Sequence, residues 1–219
     1  MTTTDVIADR EAVSRDTAGI RVRRLGLVDY EPTWRAMQTY TANRHARPED
    51  EIWLLQHPPV YTVGIAGRTE HFPRVENHIP VVRTDRGGQI TYHGPGQVVA
   101  YLLLDMRRRG LSVRPLVRRM EQAVIDLLAE LGVSAHGGED APGVYVGAAK
   151  IAALGLRIRN GCCYHGIALN VAMDLAPFHA IHPCGYPGLA VTQMKDLGVD
   201  HEVEHAATKL ARHLIHALR

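Results

Sequence analysis

Arg86-Gly87-Gly88-Gln89-Ile90-Thr91-Tyr92-His93-Gly94-Pro95-Gly96-Gln97, followed at once by Val98-Val99-Ala100-Tyr101-Leu102-Leu103-Leu104, is the stretch on which the fold turns. It reads as two strands, Gln89–Tyr92 and Val98–Leu104, either side of a glycine-proline turn. Upstream, from Ile20, strand-like and helix-like segments alternate. Pro32 sits in the first turn of a helix carrying Trp34, Met37 and Tyr40. Further strands fall at Glu51–Leu55, Val60–Val63 and Val81–Thr84. Downstream, Ser112 caps a helix that runs to Leu131. Leu116, Met120, Ala123, Val124, Leu127, Leu128 and Leu131 form its apolar stripe, and Gly132 stops it. Strands at Val144–Val146, Lys150–Arg159 and Tyr164–Val171 come next. A last helix, Glu202 to Leu218, buries Val203, Ala207, Leu210 and Leu214. Many strands and few helices in mixed order predict an α+β fold, one domain with a large mixed β-sheet flanked by helices. Residues 1–17 are polar and aperiodic and read as a loose tail; residues 18–219 form the domain.

Composition narrows the function. The chain has 219 residues, 46% of them hydrophobic, enough for one substantial core. With 25 basic and 23 acidic residues the formal charge is +2, which gives no global attraction to nucleic acid or to a membrane. A local cluster, Arg107, Arg108, Arg109, Arg114, Arg118 and Arg119, is open to two readings: a solvated helix face, or a docking patch for an acidic protein. Cys162, Cys163 and Cys184 are too few for a disulfide framework. No apolar run approaches the ~20 residues that span a bilayer, and the N-terminus lacks a secretory layout. A cytoplasmic protein is expected. The 13 histidines match no metal-ligand spacing, so no metal and no cofactor are expected.

Four segments carry the chemistry. In the first, four glycines between Gly87 and Gly96 let backbone approach a ligand closely, and Arg86 and His93 bracket the strand. A bulged hairpin packed for its own sake is the plain alternative. The segment closes on no Gly-Lys-Ser/Thr, so it is no P-loop, and it is no dinucleotide fingerprint. In the second, Ala148 to Gly155, Lys150 is the only lysine before Lys195 in a chain that otherwise uses arginine. A buried lysine changes protonation state where arginine does not; a lysine snorkelling from a strand edge is the alternative. In the third, Ile181 to Gly188, two prolines and two glycines stiffen a loop around Cys184. A nucleophilic cysteine needs a cation or base beside it; Lys150, His57, His165 and His182 are the candidates, and the sequence does not rank them. In the fourth, Tyr164 to Val171, Gly166 and Ala168 keep one strand face small, either to admit a linear chain or to bring another strand close.

Taken together and in order, Arg86–His93, Lys150-Ile151-Ala152, His165-Gly166 and His182-Pro183-Cys184-Gly185 resemble the lipoyl (octanoyl) transferases, the octanoyl-acyl-carrier-protein:protein N-octanoyltransferases, from about Gln56 to Met194. The resemblance implies a fold shared with the catalytic domains of biotin- and lipoate-protein ligases, and a Cys184/Lys150 dyad. It places acyl contacts at Arg86, Gly87, Gly88, Gln89, Ile90, Thr91, Tyr92 and His93, at Ala153, Leu154 and Gly155, and at Gly166, Ile167 and Ala168. It implies octanoyl-acyl carrier protein as donor. The acceptors it implies are the lipoyl domains of 2-oxoacid dehydrogenase subunits and the glycine cleavage H protein. The Cys162-Cys163 pair departs from the pattern and reads as strand-edge residues.

The implied reaction is two transfers. Cys184 thiolate attacks the carrier thioester; a target lysine amine then attacks the acyl-enzyme. Thioester exchange is nearly balanced and amide formation runs downhill, so no ATP is needed. An ATP-dependent lipoate- or biotin-protein ligase shares the lysine but needs no enzyme nucleophile. A non-catalytic acyl- or carrier-binding module would form no adduct.

Overall fold

The computed structural model describes residues 12–15, 19–44, 49–73, 78–138, 142–182, 188–200 and 202–219; Cys184, at the centre of 183–187, lies outside the described residues. Two strands set the architecture. β3 (Asp50–Gln56) and β7 (Gln97–Asp105) are buried on both faces, and for that reason their interiors are runs of apolar residues without alternation. They pair antiparallel, Trp53 opposite Tyr101. Around them stand β1 (Ala12–Arg15), β2 (Ile20–Leu27), β8 (His136–Gly137), β9 (Gly143–Val146), β10 (Ala149–Arg159) and β11 (Cys162–Asn170). The eight-stranded order is β1-β2-β3-β7-β11-β10-β9-β8. β2 and β3 run parallel and the other pairs antiparallel. A smaller sheet of β4 (Val60–Val63), β5 (Val81–Arg83) and β6 (Ile90–His93) has the order β5-β4-β6.

Strand alternation sorts the core. Ile52, Leu54, Ala100, Leu102, Ile167 and Leu169 pack against α2 (Val113–Glu130) and α3 (Val203–Ala217). Trp53, Leu55, Val99, Tyr101, Leu103 and Tyr164 pack against α1 (Tyr30–Ala42) on the other face. A third cluster, with Tyr61, Ile90, Tyr92, Phe178 and Ile181, sits under the small sheet. The α+β fold with a large mixed sheet is therefore as the sequence predicts; α2 and α3 start and stop within a residue or two of expectation, and Pro32 lies in the first turn of α1. Ser112 occupies the N-cap position of α2, but its side chain makes no capping hydrogen bond.

Two expectations need correction, and one open reading is divided. Part of the presumed tail, Ala12–Arg15, is a strand on the sheet edge, paired to β2; edge pairing through backbone needs no apolar periodicity, and the polar sequence shows none. Cys162 and Cys163 are not at a strand edge of the sheet: both are buried in β11, which has β7 and β10 as neighbours. The arginine cluster divides: Arg107, Arg108, Arg114 and Arg118 are exposed, as a solvated face would be, while Arg109 and Arg119 are half-buried. Arg108 and Arg109 both reach Asp50, as does Arg44. Arg109 and Arg119 also donate to the carbonyls of Leu218 and Ala217, at the C-terminal end of α3.

Asp50 is 1% exposed. Burial alone would raise its carboxyl pKa; the N–H of Asp105 and the guanidinium groups of Arg44 and Arg109 outweigh burial and hold it below the usual range. Asp50→Asn would leave three guanidinium groups without their counter-charge. It should lower the free energy of unfolding by about 3 kcal/mol, read from urea denaturation at pH 7. A loss too small to measure would show that this ion cluster ties nothing together.

Candidate active site

Between the main sheet and the glycine-rich segment lies a cavity of 410 Å³. Its floor follows from strand register. Ala153, Ala168 and Val99 lie abreast on β10, β11 and β7, and Gly155, Gly166 and Tyr101 form the next row. Residues paired in this way share one face of a sheet. The other walls come from Arg86 to Thr91, His93, and Tyr30 of α1. The Gly87 N–H donates to the Leu156 carbonyl at 2.8 Å and pins the glycine-rich segment to β10.

Residues expected from three separate stretches thus meet around one cavity. Arg86, Gly87, Gly88, Gln89, Ile90, Thr91, His93, Ala153, Leu154, Gly155, Gly166, Ile167 and Ala168 all line it. Tyr92 does not. Alternation along β6 puts Thr91 and His93 on one side and turns Tyr92 to the other, where it meets Tyr61 and Phe178. Of His57, His165 and His182, only His165 lines the cavity. The two readings of Gly166 are also separated: a Cβ there would lie 2.0 Å from the Ala100 carbonyl oxygen, so glycine serves the close approach of β7.

The polar groups around the cavity form two buried networks. Arg86, 8% exposed, donates to the hydroxyl and carbonyl of Thr62 and to the carbonyls of Gly87 and Gln89. It is therefore a brace for the glycine turn. His93 holds Gln97 at 2.7 Å through Nδ1. Gln97 then donates to Asn170, and Asn170 to the Thr192 carbonyl. His57 donates from Nδ1 to the Val28 carbonyl and accepts from the Tyr101 hydroxyl. Burial pushes His57 down to about 4 and His93 to about 3, so both are neutral at neutral pH.

Asp85 is the residue that sequence reasoning missed. Its carboxylate accepts from Trp34 at 2.8 Å and Gln38 at 3.1 Å, both on α1, and from the Tyr164 hydroxyl and His165 Nε2 on β11. Burial would raise its pKa, but these donors, His165 first, take it well below the usual carboxylate range. Its only trace in the sequence is a charge directly before Arg86. His165 adopts φ 65°, left-handed backbone inside a strand, at a typical cost of about 1–3 kcal/mol. Burial lowers the His165 pKa against the opposing pull of Asp85.

Lys150 stands at the opposite end of β10 from Leu156, six residues or roughly 20 Å away at about 3.3 Å per residue. It is 3% exposed. Its Nζ lies 3.4 Å from the carbonyl of Pro142, a cavity-lining residue, and 5.1 Å from the Tyr145 ring centroid. A Cβ at Gly143 would come within 2.9 Å of Lys150 Cε, so glycine there makes room for the lysine. The snorkelling reading is thereby excluded. Six residues past Cys184, the Ala190 carbonyl accepts from the Lys150 N–H at 2.8 Å, and Thr192 N–H donates to the Lys150 carbonyl.

The profile of the lipoyl protein ligase A/B catalytic domain matches residues 29–215. This chain belongs to that family. Relatives named octanoyltransferase include one from Nitrosospira multiformis, 64% identical over 197 residues (90% of this chain, 91% of that protein). Another, from Azoarcus sp., is 58% identical over 219 residues (100% and 96%). A lipoate-protein ligase A solved with ATP superposes with a TM-score of 0.69 at 20% identity, covering 88% of this chain and 84% of its own. A biotin protein ligase from Aquifex aeolicus, solved with biotin and ATP, gives 0.57 at 12% identity, covering 90% and 69%. These two likenesses establish the common fold. No helix among the described residues is long and apolar enough to cross a membrane.

The buried histidines predict a pH signature. Their folded pKa values lie below the ordinary ~6.5, so their contribution to stability is present above pH 6.5 and is lost as pH falls toward the folded values. Between pH 6.5 and 4, the unfolding free energy should drop by up to about 1.4 kcal/mol per unit for each of His57 and His93. Replacing both by Gln should flatten that slope in urea titrations across this range. An unchanged slope would contradict the neutral, buried assignment.

Proposed function

We propose that this chain is an octanoyltransferase that carries the acyl group on Cys184, taking it from an acyl carrier protein and delivering it to a lysine of a lipoyl domain. One observation carries the reading: an apolar cavity floored by small residues runs along β10, and a buried lysine stands at its end. The octanoyltransferase name of relatives at about 60% identity over most of the chain supports the acyl group. The backbone bonds that tie Ala190 and Thr192 to Lys150 support a partnership between Lys150 and the segment that carries Cys184.

The steps balance without ATP. The Cys184 thiolate attacks the carrier thioester carbon, and the carrier's thiolate leaves with the proton that Lys150 supplies. Neutral Lys150 then accepts a proton from the incoming lysine amine as its nitrogen attacks the acyl-enzyme, and Cys184 leaves as thiolate. An amine of reference pKa ~10.4 must be deprotonated on the way, so the base is a sizeable part of the barrier. The floor of Ala153, Gly155 and Ala168 leaves room for a linear chain, and each methylene buried there contributes about 0.8 kcal/mol.

The dyad separates from a lone nucleophile by kinetics. Lys150→Arg keeps a cation but loses the proton relay. In single-turnover experiments it should still acylate Cys184 in part, while transfer to the acceptor falls by about 10²–10⁴, so the acyl-enzyme accumulates by mass. Cys184→Ser should form no adduct, whereas Cys162 and Cys163 changed together to Ser should leave it intact. Transfer that instead requires free octanoate and ATP would assign the chain to the ligases of the same fold. Unchanged rates in Lys150→Ala would remove Lys150 from the mechanism.

A further inference from the structure

One carboxylate interrupts the buried face of α2. Glu121 is 3% exposed and shares that face with Leu116, Met120, Val124 and Leu128. Taking such a group out of water is costly unless its oxygens are filled. Oε1 accepts from the buried Gly143 N–H at 3.0 Å, and Oε2 accepts from Arg118 Nη1 at 3.1 Å. The fold keeps space for the carboxylate under the β8–β9 hairpin: a Cβ at Gly137 would lie 3.2 Å from Oε2.

The Gly143 N–H belongs to the same peptide unit as the Pro142 carbonyl. That peptide is trans, so its N–H and C=O point in opposite directions. The N–H meets Glu121, and the carbonyl oxygen lies 3.4 Å from Lys150 Nζ. One peptide thus stands between a buried carboxylate and a buried lysine. Gly143 is fitted to the lysine as well, since a Cβ there would come 2.9 Å from Cε and 3.1 Å from Nζ.

An anion on the N–H side of a peptide draws electron density toward its carbonyl oxygen, and hydrogen bonds in series strengthen one another. The Pro142 oxygen is therefore a better partner for an ammonium than an isolated carbonyl. The charge also acts through space, because a nearby anion favours the protonated form of a lysine. β9 adds the Tyr145 ring, 5.1 Å from Nζ, which favours a cation too. Arg118 opposes both from beyond Glu121. The segment after Cys184 meets Lys150 through the backbone of Ala190 and Thr192.

We propose that Glu121 is a positioning residue for Lys150: through the Pro142–Gly143 peptide, its charge holds Nζ in place and strengthens it as a base. This rests on the octanoyltransferase reading, in which Lys150 takes the proton of the incoming amine. In that step the amine nitrogen bonds to the acyl carbon and Cys184 leaves as thiolate; Glu121 neither gives nor receives a proton.

The chain contains three lysines, Lys150, Lys195 and Lys209. Lysine labelled with carbon-13 at Cε therefore gives few signals to titrate by NMR, and Lys150→Arg assigns the one in question. Glu121→Gln keeps an acceptor for the Gly143 N–H and removes the charge. Across one hydrogen-bonded peptide, the Lys150 midpoint should then move to lower pH by about one pH unit. Arg118→Ala is a change at an exposed side chain and should move the midpoint to higher pH; it decides alone if Glu121→Gln fails to fold by thermal melting. In transfer from preformed acyl-enzyme to the acceptor, the rising limb of the pH–rate profile should follow the midpoint in Glu121→Gln, and its plateau should fall about threefold. A carboxylate that merely fastens α2 to the hairpin would alter melting and leave midpoint and limb in place, and that result overturns the proposal. The titration needs no turnover. A wild type that transfers no octanoyl group would reject the proposed function, with the midpoint still deciding whether Glu121 acts on Lys150.

Discussion

The Asp85 carboxylate joins three elements that are far apart in sequence. Trp34 and Gln38 bring α1 to it, Tyr164 and His165 bring β11, and its own backbone leads directly into the glycine-rich segment. A charge drawn partly out of water needs its lone pairs filled, and four side chains fill those of the half-buried Asp85. The cavity lies among these same elements, so the geometry of its walls is the geometry of this one hydrogen-bond cluster. Arg86 completes the brace by bonding the carbonyls that the glycine turn leaves inward.

The division of labour along β10 follows from this anchoring. At the Leu156 end the strand is held by Gly87 and faces the Asp85 cluster. At the other end Lys150 is bridged on its backbone to Ala190 and Thr192. Between them, small side chains on two adjacent strands leave a trough. A strand is a good scaffold for such a site: its residues are fixed by ladder hydrogen bonds and separated by a known rise. His93, Gln97 and Asn170 continue the polar framework from β6 to Thr192, so the glycine-rich side and the segment after Cys184 share one chain of buried hydrogen bonds.

Much of this was legible in the letters. β3 and β7 announced a sheet interior through runs of apolar residues, α2 through its stripe, and Lys150 through a bias against lysine elsewhere. The glycine-rich segment, Ala153–Gly155 and Gly166–Ala168 are brought to one cavity by pairings that no single stretch encodes. Tyr92 was misplaced because a motif is read as a block, whereas a strand divides it between two faces. Asp85 and Asp50 were invisible for a different reason: what makes each a structural centre is donors that lie 47 to 80 residues from Asp85 and 6 to 59 residues from Asp50, and a lone acidic letter does not signal them. Of the arginines near 107–119, Arg109 and Arg119 are held by equally remote partners, Asp50 and the end of α3, while Arg107, Arg108, Arg114 and Arg118 are exposed as their letters suggest.

The central claim is that an acyl chain attached at Cys184 lies along β10 with its carbonyl end toward Lys150. Isotope-filtered NOE spectra of the acyl-enzyme, made with octanoyl carrier labelled with carbon-13 at carbon 2 or at the terminal methyl, test it most directly. The account predicts contacts from carbon 2 to Lys150 and Pro142, and from the methyl to Ala153, Gly155 and Ala168. Contacts from the methyl to Lys150, or none to β10 and β11, would contradict it.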